Sequence, residues 1–249
     1  MNDAPLNREQ VLDKLEQLAD VEHALIVEYL TVSCALGHNL LAEEGGATST
    51  AGRDAAGKTA DLAMDEMRHL KDICGVLADA GRTPQMGRAS SISNASGVQV
   101  SLDPPSAEQL RDLLAREHAI TGAVDAAYAG LAAALTPDMF EESLLGRVRT
   151  VVESGATHGA GTTSLRDALG DPPPPDFLRV PRRETSDSFE LGLLRASDLA
   201  YRLVTSALRD NFAQPDAFGF RELATTAMAA LDAVNRALAQ RGLLPPFNL

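Results

Sequence analysis

Apolar residues recur at spacings of three and four along most of the 249-residue chain, the period of helices that bury one stripe against their neighbours. Few runs alternate apolar with polar, so the pattern predicts an all-α fold. The first run starts at Asn7, a residue type that caps helix N-termini, and continues to Leu41. Its seam holds Leu15, Leu18, Leu25, Tyr29, Val32 and Leu36. A second run, Arg53 to Ala80, stops at Gly81 with Pro84 just beyond, and carries Thr59, Leu62, Ile73 and Val76 inward. The third begins near Ser106, where Ser106 and Gln109 have the form of a capping box, and lines up Leu110, Leu113, Ile120, Val124, Tyr128 and Leu131. The fourth follows Pro137, read as a helix start, and aligns Leu144, Val148, Val151, Gly155, Thr162 and Leu165.

The connections divide the chain. "EEGGATSTAG" separates the first two helices, and the polar stretch from Arg82 to Ser106 is longer than a packed bundle needs, as expected of a lid over a site or a span between neighbours. "GDPPPPDFLRVPRR" cannot continue a helix, because proline lacks the amide donor and clashes with the preceding turn. Two further amphipathic segments follow it. The resulting organisation is a four-helix bundle over residues 1–170, a proline-rich strap over 171–186 and a helical hairpin packed on the bundle over 187–249, with no internal repeat of fixed period.

Polar residues interrupt the seams in an ordered way. Glu22 lies on the first, Glu66 and His69 on the second, Glu117 on the third and His158 on the fourth. Residues three apart share a helix face, so Glu66 and His69 point the same way. An ionised carboxylate is expensive to bury, and coordination to a cation offsets that cost. A dinuclear carboxylate site in a four-helix bundle takes one Glu from each of two helices and a Glu-x-x-His pair from each of the others. Such a site binds two iron ions, with manganese as the alternative metal, through bridging carboxylates and neutral imidazoles, and a count of one ion or none is the alternative where the fourth helix offers Gly155 instead of an acid. The second Glu-x-x-His pair is incomplete here, since the position three before His158 is Gly155. The nearest acid, Glu153, points away on a regular helix, and a π-bulge at Ser154 or Gly155 is the device expected to bring Glu153 and His158 in together. His23, His38 and His118 sit off the seams and are read as surface residues. Tyr29 is read as core packing, with the option of a hydrogen bond to a ligand.

Charge and composition narrow the partners. The formal net charge of −13 opposes binding to nucleic-acid phosphates or anionic membranes. No apolar run approaches a membrane span, and the polar start "MNDAPLNREQ" does not resemble a signal peptide, so a cytoplasmic location is expected. Cys34 and Cys74 lack metal or redox spacing and are read as reduced core residues. Nucleotide-binding and nucleophile-elbow motifs are absent.

"EHALIVEYL", "DEMRHLKDICGVLADAGRTP" and "VVESGATHGAG", together with "LAYRLVTSALRDNF", "AMAALDAVNRAL" and the closing "LPPFNL", resemble the ferritin-like domain of the iminophenyl-pyruvate dimer synthases, a family that acts in bis-indole pigment pathways such as violacein. The resemblance implies a ferritin-like four-helix bundle with a C-terminal two-helix extension, and metal roles for Glu22, Glu66, His69, Glu117 and His158. Where that family shows an acid-rich segment of the form EGEGxH, this chain has Ser154, Gly155, Ala156 and Thr157.

The leading expectation is a metal-dependent, diiron-type oxidative enzyme of specialised metabolism. Its substrate would be a small amino-acid-derived, indolic molecule, and a homodimer is the candidate assembly. The fifth and sixth helices and the 82–105 connection are expected to close its substrate cavity. The alternative is a metal-depleted pocket serving as a cofactor-free cyclase, dimerisation catalyst or small-molecule binder, with Glu66, His69 and Glu117 as acid–base groups. A third reading, a metal store or a peroxide-destroying manganese protein, uses the same ligands.

Overall fold

The computed structural model of the chain describes residues 6–41, 47–94, 96–102, 113–156, 167, 182–214 and 219–248. Helix α1 spans Arg8–Leu41. Asn7 caps it as its sequence suggests: Asn7 Oδ1 accepts from the Gln10 amide at 3.0 Å, and the Asn7 amide donates to Gln10 Oε1 at 2.9 Å. This reciprocal pair satisfies two amide donors near the helix start.

Helix α2, Ala47–Asp79, begins six residues before the expected Arg53. Extending an existing helix gains one hydrogen bond per residue, which outweighs the roughly 1 kcal/mol penalty of Gly52 in its first turns. Its end is a Schellman turn. Gly81 adopts φ +85°, the Arg82 amide reaches Leu77 O at 2.8 Å and the Gly81 amide reaches Ala78 O at 2.9 Å.

Helix α3 spans Leu113–Ala134, and the proposed cap at Ser106 and Gln109 lies outside the described residues. Helix α4 spans Glu142–Gly155, so Pro137 does not start it. Instead the Met139 amide bonds Thr136 O at 3.3 Å, which puts Pro137 at the second position of a turn, where its fixed φ also fits. The helical hairpin is formed by α5, Ser188–Ala213, and α6, Phe220–Gln240. Asp187 caps α5 by accepting from the amides of Phe189 and Glu190.

The long crossover contains an element that the helical pattern hid. Strand β1, Ser91–Ser93, pairs antiparallel with β2, Gln99–Ser101, placing Ile92 opposite Val100. Asn94 Oδ1 gathers the amides of Ser96 and Val98 at the turn. Three-residue strands are too short for alternation to be read from sequence. A cleft of about 390 Å³ lies between this hairpin and α1, lined by Leu18, Asp20, Val21, Ile92, Gln99 and Ala127 among others. None of the seam acids lines it, so the crossover packs on the outer face of α1.

The core sits where the seams meet. Leu15, Leu25 and Val32 of α1, Leu62 and Ile73 of α2, Val124 and Leu131 of α3, and Val148 and Val152 of α4 are buried in one cluster. A smaller cluster of Val27, Tyr201, Leu231 and Phe247 fastens the α5–α6 hairpin to α1. Cys34 and Cys74 are free thiols, each pushed up to about 12 mainly by burial, as unreactive core residues should be. No helix among the described residues is long and apolar enough to cross a membrane.

His23 corrects the sequence reading. It is buried, not on the surface, and bridges three parts of the fold. Nδ1 lies 2.7 Å from the carbonyl of Gly87 in the crossover, and Nε2 lies 2.7 Å from the Tyr201 hydroxyl in α5. A carbonyl only accepts, so Nδ1 carries the proton and the Tyr201 hydroxyl donates to Nε2. Burial holds the imidazole below its usual range, consistent with that neutral tautomer. Tyr201→Phe leaves Nε2 buried without its donor and should cost about 1–3 kcal/mol, measured by urea denaturation. An unchanged midpoint would show that the bridge contributes nothing.

Candidate metal centre

Three helical faces converge on one acidic centre because of simple spacing. Glu22 and Tyr29 are seven apart on α1, Glu66 and His69 three apart on α2, and Glu117 and Tyr128 eleven apart on α3. These are about two, one and three helical turns, so each pair shares a face. Glu22, Glu66 and Glu117 are all buried, at 0 %, 2 % and 0 % exposure.

Donor atoms of Glu22, Glu66 and His69 all lie within 4.8 Å of one another. His69 Nδ1 is 2.9 Å from Glu66 Oε2 and 3.8 Å from Glu22 Oε2. The His69 side chain retains 17 % exposure, so the cluster approaches solvent on that side. Burial alone would lower the imidazole pKa, but the carboxylates of Glu22 and Glu66 outweigh it and lift it to about 9.

Two tyrosines hold the outer acids. The Tyr29 hydroxyl donates to Glu117 Oε2 at 2.9 Å, and the Tyr128 hydroxyl donates to Glu22 Oε1. Burial, reinforced by the neighbouring carboxylates, raises both phenols well above their usual range, so both remain donors. Glu117 is pushed up to about 8, first by burial and then by the charges of Glu28 and Glu66, against the opposing effects of Tyr29 and Arg116.

These residues fit a divalent cation. Glu117 Oε1 is buried and has no hydrogen-bond partner among the described residues. Two buried carboxylates beside one imidazole make a donor set of oxygens and nitrogen that suits iron or manganese. Glu22, Glu66 and His69 would hold the ion, with Glu117 beside them.

The sequence match agrees with this architecture: the ferritin-like family matches residues 15–146, more than half of the chain. The chain belongs to the ferritin-like family. No curated protein and no solved structure matches it.

Within this ferritin-like bundle the fourth helix departs from expectation. Helix α4 is regular through Gly155 and Glu153 is exposed, so the anticipated π-bulge does not form and Glu153 does not join the cluster. An α-helical turn places Glu153 about 200° from Gly155 around the axis, and the buried face is taken by Val148, Val151, Val152 and Gly155. His158 lies outside the described residues. His118 is exposed, as read from sequence, and the side chain of His38 is outside the described set.

One buried pair escaped the sequence reading. Arg116 holds Glu28 through two hydrogen bonds, Nε to Oε1 at 2.7 Å and Nη2 to Oε2 at 3.0 Å, and Glu28 is fully buried. Glu28 lies off the α1 seam, so periodicity gave no signal. The available one was its place within "EHALIVEYL", with Arg116 directly before a seam acid.

Arg116→Met would leave Glu28 as an uncompensated buried charge and should cost about 3–5 kcal/mol in chemical denaturation, largely recovered in the Arg116→Met/Glu28→Met double variant. Equal destabilisation of both variants would contradict the pairing argument.

A pH dependence follows for the metal-free chain. Folded His69 keeps its proton to about 9 whereas the unfolded value is 6.5, so its contribution is complete below 6.5 and is lost as pH rises through about 9. Glu117, raised from 4.5 to about 8, acts in the same direction. The urea midpoint should therefore fall from about pH 6.5 to 9, and saturating manganese(II) should flatten the fall by replacing the protons. A midpoint that rises over this range would exclude this proton linkage.

Proposed function

We propose that the chain is a metal-dependent oxidative enzyme using iron, with manganese as the alternative, on a small amino-acid-derived, indolic substrate of specialised metabolism. The convergence of Glu22, Glu66 and His69 within 4.8 Å inside a ferritin-like bundle carries the metal assignment. The oxidative chemistry and substrate class rest on the resemblance of the first, second and C-terminal segments to the iminophenyl-pyruvate dimer synthases.

When bound, iron supplies electron transfer to an oxidant such as oxygen or peroxide. The protein's own contribution is positioning and proton control. Tyr128 orients Glu22, Glu66 orients His69, and Tyr29 fixes Glu117 through one oxygen, its other oxygen being buried. Glu117, holding a proton to about pH 8, is suited to donate or take one beside the substrate near neutral pH. The partial exposure of His69 marks the side of the cluster nearest solvent.

A second reading draws on those same raised values. Glu117 near 8 and His69 near 9 are matched to acid–base catalysis without metal, as in a cyclase or dimerisation catalyst.

Elemental analysis after anaerobic reconstitution with iron(II) separates the two. Stoichiometric iron is expected in the parent protein. Glu66→Ala should lose it with an affinity drop of at least roughly 10- to 100-fold, and oxygen uptake should fall in parallel. A Glu66→Ala protein with unchanged iron and oxygen uptake would refute the metal reading.

A further inference from the structure

Dinuclear sites in four-helix bundles draw a Glu-x-x-His pair from each of two helices. This chain presents one such pair on α2, and the matching position on α4 is Gly155, which is buried. The glycine is not an empty slot awaiting a carboxylate. A Cβ placed on it would lie 2.3 Å from Tyr128 Cζ, 2.4 Å from Cε1 and 2.8 Å from Cδ1. Carbon atoms in contact prefer about 3.5–4.0 Å, so the phenol ring occupies the room in which any α4 side chain at 155 would begin.

Tyr128 cannot easily yield that room. It is fully buried in the main core, and its hydroxyl is fastened to Glu22 Oε1 across the bundle. That bond also commits one oxygen of Glu22, leaving Oε2 on the side of His69, 3.8 Å away. Glu22 Oε2 is thereby the oxygen presented to an ion shared with His69. Among the described residues, the three donors close enough to share an ion come from α1 and α2, and Glu117 stands outside that group.

We propose that this bundle holds one divalent cation per chain, at Glu22, Glu66 and His69, and that Tyr128 packed on Gly155 removes the second ion's place. The exchange is steric and coupled. A large aromatic on α3 and a missing side chain at position 155 of α4 stand in place of a carboxylate, and the ring does not fit beside any side chain there. This proposal rests on the metal-dependent reading above and specifies its ion count.

The test is metal stoichiometry in the full chain, with spectroscopy as a second readout. After anaerobic loading with excess iron(II) and desalting, about one iron per chain is expected. The manganese(II)-loaded protein should give the paramagnetic resonance pattern of an isolated ion. Two ions per chain, or a spin-coupled manganese pair, would overturn the single-ion proposal while leaving the metal-dependent reading intact. No bound metal would overturn both.

Two variants then address the cause. Tyr128→Phe keeps the ring and should still bind one ion. Tyr128→Ala/Gly155→Glu vacates the ring's volume and restores the carboxylate, and should raise the count towards two. A folded double variant, judged by its circular dichroism and a cooperative thermal transition, that remains at one ion would show that Tyr128 and Gly155 do not set the number. Should that variant not fold, the parent protein's stoichiometry and resonance spectrum decide the ion count.

Discussion

Burying carboxylates in the middle of a helical bundle is the constraint around which this molecule is arranged. Each ionised acid taken out of water costs several kcal/mol unless it is paired, protonated or bound to a cation. Glu22, Glu28, Glu66 and Glu117 are all inside, and the structure answers them in three ways. Glu28 receives a guanidinium, Glu66 an imidazole, and Glu22 and Glu117 each receive a phenol. Only the first of these is a permanent charge neutralisation. Of the remaining three, Glu22 and Glu66 share the titratable imidazole of His69, which is why protons and divalent cations compete for the same centre.

That centre also explains the aromatic residues around it. In a chain with no tryptophan and only three tyrosines, Tyr29 and Tyr128 are both spent on the buried acids. The third, Tyr201, performs a related task at the edge of the bundle, donating to a buried neutral histidine. His23 adjoins Glu22 in sequence but faces a different neighbour, so α1 links the acidic centre on one face to the crossover and the α5–α6 hairpin on another. The hairpin adds Leu231 and the segment after α6 adds Phe247 to this junction, and Arg88 ties the crossover to the carbonyl of Phe247 at 2.7 Å.

Much of the bundle was legible before any coordinates. The inward positions of Glu22, Glu66 and Glu117 follow from a period of 3.6 residues, because helical spacing alone decides which side chains share a face. The cap at Asn7 and the stop at Gly81 were readable for a similar reason, since both depend on residues within a turn or two. Pro137 was misread because proline serves a turn as well as it serves a helix start. The short β-hairpin offered too few residues to show alternation. His23 was assigned to the surface because a single-stripe view of α1 leaves no place for the second layer that the crossover and hairpin build over it.

Local spacing and residue type encode the helical class, the seams, the family and the inward turn of Glu22, Glu66 and Glu117. Tertiary structure decided which partner meets which acid. Arg116 reaches Glu28 from 88 residues away and Tyr128 reaches Glu22 from 106, distances over which no periodicity carries information. It also decided the meaning of Gly155. In the sequence this glycine is an absent ligand, whereas in the fold it is the space that a buried tyrosine requires, because two side chains cannot occupy one volume in a close-packed interior.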